Sequence, residues 1–130
     1  MRRMLIDTNI YSLALKGDDS VVEVLREIDV IGFSVISIGE LLSGFKIGGM
    51  EKKNRKELEQ FLDSPRVVLY LIDEDTTEFY AQILYNLRQI GKPIPTNDIW
   101  IAAVAFQNGL KLYTKDKHFQ SIAGLYLYGI

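Results

Sequence analysis

Short apolar runs suited to strands alternate with longer segments of helical spacing along the chain, and no Asn-Gly or Asp-Gly turn joins one strand directly to the next. Strands separated by helices pair in parallel, because a parallel neighbour needs a crossover connection. The expected architecture is therefore α/β: a three-layer sandwich with a mainly parallel central sheet of four to five strands and helices on both faces. The strand candidates are "MLID" ending at Asp7, residues 32–36, "VVLYLI" at 67–72, "LKLYT" running towards Asp116, and "LYLYGI". The third is apolar throughout, as expected of a strand covered on both faces.

Helix signals fill the gaps. A short helix over 10–16 stops at Gly17. Ser20 with Glu23 has capping-box spacing and opens a helix carrying Val21, Val24, Leu25 and Ile28 on one face. Ser37 with Glu40 repeats that spacing ahead of a helix that Gly48 and Gly49 end, and a charged helix follows over 51–63. Asp75 and Glu78 cap a helix bearing Phe79, Ile83, Leu87 and Ile90. Thr96 or Asn97 caps a last helix that is apolar nearly all round and so should be deeply packed.

At 130 residues, 48% hydrophobic and 25% charged, the chain is expected to form one folded domain over 1–130. No apolar run reaches membrane-spanning length, and Met1, Arg2 and Arg3 lead straight into a strand, so neither a membrane anchor nor a secretory signal is read. The absence of Cys excludes disulfides and thiolate metal sites and fits a reducing cytoplasm.

Four acids carry the functional signal: Asp7, Glu40, Asp98 and Asp116. Each falls at a strand's end or in the first turn of a following helix, and in a parallel α/β sheet those positions open on one edge, where ligands bind. Singly, each has an ordinary explanation as a cap, a helix-dipole partner or a turn residue. Together they pose an electrostatic problem. Two carboxylates about 5 Å apart repel by roughly 3 kcal/mol at an effective dielectric of 20. A cluster of four must shift its protonation or hold a cation. Oxygen donors select Mg2+ or Mn2+ rather than zinc, and that chemistry suits phosphodiester hydrolysis. The net charge of −2 argues against a general nucleic-acid binder, but Lys46, Lys52, Lys53, Arg55 and Lys56 crowd one stretch against only Glu51 and Glu57. That stretch is either a phosphate-backbone contact or a solvated helix face.

At these residues the sequence resembles the PIN-domain nucleases and, within them, the VapC-type toxins of prokaryotic toxin–antitoxin pairs. The matching pieces are "LIDTNI", "SIGELLSG", "PTNDIWIAAVA" and "LYTKDKHF", in the family's order and over essentially the whole chain. The resemblance implies a PIN-like sandwich, a Mg2+- or Mn2+-dependent endoribonuclease acting on RNA, a homodimer, and an antitoxin protein that masks the active site. It makes Asp7, Glu40, Asp98 and Asp116 the metal ligands or water activators. It gives Asn9 a part in orienting a ligand or water, and Thr114 a hydroxyl able to bond a carboxylate. Many relatives carry another Asp where this chain has His118. A lone His in a turn reads as a surface or hydrogen-bonding residue, so it falls outside the catalytic set. Trp100, two residues past Asp98, should point away from the acid and into packing.

Two other readings stand beside this one. A receiver-like phosphoacceptor domain also binds Mg2+ at strand ends and would use Asp73, Thr114 and Lys115, although the acidic pair expected after its first strand is missing. A catalytically silent PIN-like interaction module would keep the fold without the chemistry. No Walker-type loop, G-x-S-x-G or His pair at metal spacing occurs.

Overall fold

The computed structural model describes residues 1–130. Five strands, β1 (Arg3–Ile6), β2 (Val30–Ser34), β3 (Val67–Tyr70), β4 (Lys111–Tyr113) and β5 (Leu127–Tyr128), form one sheet in the order β3-β2-β1-β4-β5. Every pairing is parallel. The helices are α1 (Thr8–Leu15), α2 (Asp19–Glu27), α3 (Val35–Ile47), α4 (Glu51–Leu62), α5 (Glu74–Gln89) and α6 (Thr96–Gln107), with a short 3₁₀ helix over Lys117–Ser121.

Strand β1 is central, and the alternation of its side chains divides the core into two layers. Leu5, with Leu112 of β4, packs against Ile83 and Leu87 of α5, the buried side of α6, and Phe119. Met4 and Ile6, with Phe33 and Tyr113, pack against Ile10, Tyr11, Val21, Leu41 and Leu58 from α1 to α4. Helix α6 buries Ile99, Ile101, Ala102, Ala103, Val104 and Ala105, as its all-round apolarity requires. Each buried Ile or Leu contributes about 1.5–3 kcal/mol, so these two layers supply most of the drive to fold. No helix is long and apolar enough to cross a membrane.

The register positions the site. Ile6 lies beside Phe33 on one flank and Tyr113 on the other, so β1 and β4 end at one level and β2 runs one residue further. The residues that follow these three, Asp7, Ser34 and Thr114, emerge together on the carboxyl edge. At the far end of the chain Gly129 holds φ at +103°, and a Cβ there would run into the Thr114 carbonyl oxygen. That close approach lets the Thr114 N–H donate to the Tyr128 carbonyl at 3.0 Å, clamping β5 beside the strand that carries the site.

The sequence expectations need correction in three respects. The 67–72 run is not covered on both faces: β3 is an edge strand paired only with β2, and Val68 and Leu69 are each 40% exposed. Uniform apolarity does not distinguish an edge from a centre. Strand β2 begins and ends two residues earlier than expected, at Val30 and Ser34. Finally, the caps move. Ser34, not Ser37, caps α3, and Asp18, not Ser20, caps α2. Helix α5 is opened by a capping box between Asp73 and Thr76 rather than by Asp75 and Glu78, and α6 follows Pro95 with no side-chain cap from Thr96 or Asn97.

Candidate active site at the carboxyl edge of the sheet

Asp7 ends β1 and caps α1, and it is only 4% exposed. Its Oδ1 accepts the Ile10 N–H at 2.8 Å, and its Oδ2 accepts the Thr114 hydroxyl at 2.5 Å. The same Thr114 oxygen accepts the Asp116 N–H at 2.9 Å, so one fully buried hydroxyl ties the first acid to the backbone of the last. Burial raises the Asp7 pKa, the Thr114 and Ile10 bonds oppose that rise, and the charges of Asp116 and Glu40 add to it.

Glu40 lies in the second turn of α3, one turn further in than the Ser37 cap would have placed it. Its Oε1 accepts the Thr8 hydroxyl at 2.6 Å, and Thr8 Oγ1 also lies 2.8 Å from Ser37 Oγ. A hydroxyl has one proton to give. The arrangement is satisfied when Ser37 donates to Thr8 and Thr8 donates to Glu40. Ser37 is fully buried at this task. Thr8 and Ser37 are the positioning residues that the sequence reading missed. The Ser37–Glu40 spacing was legible, but its meaning was a shared helix face, not a capping box.

Asp98 sits in the first turn of α6 with its side chain 18% exposed. Burial pushes its pKa up to about 6, with further rises from the charges of Asp116, Glu40 and Asp7 and an opposing effect from His118. Asp116 caps the 3₁₀ helix, its Oδ1 accepting the His118 N–H at 2.9 Å. The edge thus gathers all four acids closely enough for their charges to bear on one another.

His118, set outside the catalytic set by sequence, is drawn in with them. Its Nδ1 lies 3.3 Å from Asp116 Oδ1 and 4.0 Å from Asp98 Oδ2. One donor atom from each of these three residues falls within 4.8 Å of the others. The available signal was the Asp-x-His spacing at the start of a tight turn.

The remaining candidates are placed less tightly. Asn9 is exposed on the first turn of α1. Trp100 turns into packing as expected, half-buried and stacked on Tyr80 with ring centroids 4.0 Å apart. Lys52, Lys53 and Lys56 project into solvent from α4, whereas Lys46 and Arg55 both pair with Glu51, at 3.4 and 3.1 Å. An open groove of about 600 Å³, lined by Val35, Ile36, Gly39, Glu40, Ser43 and Asn97, runs past Glu40. A more apolar cleft of about 450 Å³, between α5, α6 and the 3₁₀ helix, contains none of the acids.

Comparison with known proteins agrees with this architecture. Residues 4–125 match the PIN domain family. The chain is 30% identical over 128 residues to the ribonuclease VapC2 of Rickettsia felis, covering 95% of this chain and 94% of that one. It is 31% identical over 133 residues to the plasmid stability protein StbB of Pseudomonas syringae, covering 94% of each. Among solved structures, VapBC2 of Rickettsia felis bound to a promoter DNA fragment superposes with a TM-score of 0.86 at 28% identity, covering 97% of both chains. The parallel sheet, the order of its strands and the match over nearly the whole sequence place the chain in the PIN-domain family, among its VapC-type members.

Proposed function

We propose that this chain is a divalent-metal-dependent endoribonuclease that serves as the toxin of a toxin–antitoxin pair. The observation that carries the reading is the convergence of Asp7, Glu40, Asp98 and Asp116 on one sheet edge, with the Asp98 carboxyl pushed up to about 6 by burial and by the other three charges. Relatives named as VapC ribonucleases, and solved VapBC assemblies from Rickettsia felis and Haemophilus influenzae, support both the activity and an antitoxin partner. The receiver-like alternative fits poorly. Its sheet runs 2-1-3-4-5, whereas this one runs 3-2-1-4-5. Its phosphoacceptor candidate, Asp73, is occupied in capping α5.

The donor set suits a hard or borderline cation: clustered carboxylate oxygens with one imidazole and no thiolate. Asp98 and Asp116 would hold it, with Asp7 and Glu40 completing the charge balance. When bound, Mg2+ or Mn2+ would stabilise negative charge on the phosphate and make a bound water more acidic.

The chain's own residues then divide the work. Thr114 and the Ile10 N–H fix Asp7 in place and oppose the rise that burial imposes on its pKa. Thr8, supported by Ser37, holds Glu40 through Oε1 at the rim of the open groove. Glu40 is thereby placed to accept a proton from water attacking the phosphorus as the bond to the leaving oxygen breaks. Asn97 and Asn9 flank the groove and the first acid, where they can position a ribose or a water. Lys46 lies in the last turn of α3, about 9 Å of helix axis beyond Glu40, and the lysines of α4 follow it across the Gly48–Gly49 break. There Lys52, Lys53 and Lys56, with Lys46 and Arg55 exchanging Glu51 for phosphate, would track an RNA backbone. A homodimer and a cytoplasmic location belong to the same reading.

The test is incubation of the purified chain with structured and unstructured RNA, in Mn2+ or EDTA, beside Asp7→Asn. Cleavage that needs both the metal and Asp7 supports the proposal. Cleavage that survives EDTA or the substitution refutes it, as does no cleavage of any RNA by antitoxin-free protein that binds Mn2+.

A further inference from the structure

Resting on the metal-site reading above, we propose that His118 supplies an imidazole nitrogen to the divalent-cation site, biasing it towards Mn2+ and similar transition ions over Mg2+. The backbone places it there. Asp116 caps the 3₁₀ helix by accepting the His118 N–H, so the acid fixes the residue whose side chain then returns to it. Phe119, 1% exposed, anchors the next position in the core, so the ring is carried on a seated turn.

The distances suit a shared ligand. Donors about 2.1 Å from one cation lie about 3 Å apart when adjacent and about 4 Å apart when opposite. The Nδ1 separations of 3.3 Å from Asp116 and 4.0 Å from Asp98 match that spacing before any adjustment. A fifth carboxylate at this position would add another hard oxygen and more repulsion. A neutral imidazole adds a borderline donor without charge. Mg2+ strongly prefers oxygen and water, whereas transition ions gain from nitrogen, Mn2+ least among them and still more than Mg2+. The His118 side chain is 58% exposed, which leaves the donor accessible to an entering ion and lets it be replaced without opening the core.

The rival account is that a protonated His118 merely pairs with Asp116 and Asp98 and competes with a cation for them. Two measurements on the full chain separate these. One is titration with Mn2+ and with Mg2+ alone, followed by calorimetry. The other is pulsed electron paramagnetic resonance of the Mn2+-bound protein, which reads nitrogen directly coupled to the metal. The variants are His118→Ala and His118→Asp, checked for native circular dichroism in EDTA. The proposal expects 14N coupling in the parent chain that both variants lose. It also expects the ratio of Mn2+ to Mg2+ affinity to fall about tenfold in His118→Asp. Mn2+ binding without nitrogen coupling, or tighter Mn2+ binding by His118→Ala, overturns the role of His118 and leaves the acidic metal site standing. No Mn2+ binding by the parent chain overturns both.

Discussion

Replacing Asp98 by Asn tests the acidic edge without requiring a substrate. Burial and three neighbouring acids raise the Asp98 pKa from 3.8 to about 6. In the window between those values the folded chain holds a proton that the unfolded chain releases. Stability without metal therefore falls as pH rises through about 4 to about 6, and the penalty is complete above that. A shift of about two units corresponds to roughly 3 kcal/mol at most. Allowing for solvent screening of a partly exposed side chain, about 1–2 kcal/mol is expected. Asn carries no such penalty. In EDTA at about pH 7.5, Asp98→Asn should melt about 3–8 °C above the parent chain, and the gap should close by about pH 4. Saturating Mn2+ reverses the order, because only the parent gains the binding free energy, about 2.7 kcal/mol at 100 times the dissociation constant. Differential scanning calorimetry across pH, with EDTA or Mn2+, reads all of this. Equal melting temperatures in EDTA near neutral pH would refute the claim that the acids crowd one another, as would a gap that persists at acid pH.

Other perturbations probe the supports. Thr114→Val strands the Asp7 Oδ2 and the Asp116 N–H, so urea denaturation should show a loss of about 1–3 kcal/mol; a loss below about 0.5 kcal/mol would mean that water replaces the hydroxyl freely. Tyr11 is 2% exposed, its hydroxyl has no hydrogen-bond partner, and burial with the nearby Glu57 charge pushes its pKa up to about 12. Tyr11→Phe should thus leave stability unchanged or raise it by up to about 1 kcal/mol, and a clear decrease would reveal a bound partner for that oxygen. Reversing Lys52, Lys53 and Lys56 to Glu should weaken RNA binding and flatten its salt dependence by about 0.7 in logarithmic slope for each phosphate no longer neutralised; an unchanged slope would assign α4 to solvent alone.

The sheet was legible because its signals are local. A central parallel strand must be apolar on both sides, and Met4, Leu5 and Ile6 are; a deeply packed helix must be apolar nearly all round, and α6 is. The edge position of β3 was not legible. "VVLYLI" would read the same in the middle of a sheet, and only the strand order exposes Val68 and Leu69. Cap assignments failed for a related reason. Asp18, Ser34 and Asp73 are followed within two or three residues by other polar side chains able to cap, and which one does so is settled by where the strand or loop delivers the chain. Asp7, Asp98 and Asp116 were found because each follows an element end; Glu40 was found through a capping-box reading that the structure replaces, since it lies in the second turn of α3. Thr8 was missed because its partner lies in space: it reaches Glu40 across 32 residues. Ser37 and His118 stand at spacings that were visible, three residues from Glu40 and two from Asp116, but those spacings read as a capping box and a surface turn.

The acids differ in the hydrogen-bond donors they are given. Asp7 accepts from Thr114 and the Ile10 N–H, Glu40 from Thr8, and Asp116 from the His118 N–H. For Asp7 the two bonds oppose the rise that burial and the neighbouring charges impose. Asp98 has no such donor among its stabilising influences; only the His118 charge opposes its rise. Helix α6 begins after Pro95 without a side-chain cap, so its first turn supplies no hydroxyl to the acid it carries. The structure therefore supports three acids by hydrogen bonds and leaves one whose charge is best compensated by an external cation. A site fully satisfied by its own donors would have little free energy to gain from metal. Leaving Asp98 without a hydrogen-bond donor, beside Asp116 and an imidazole, concentrates that gain at a partly buried carboxylate that feels the charges of the other three.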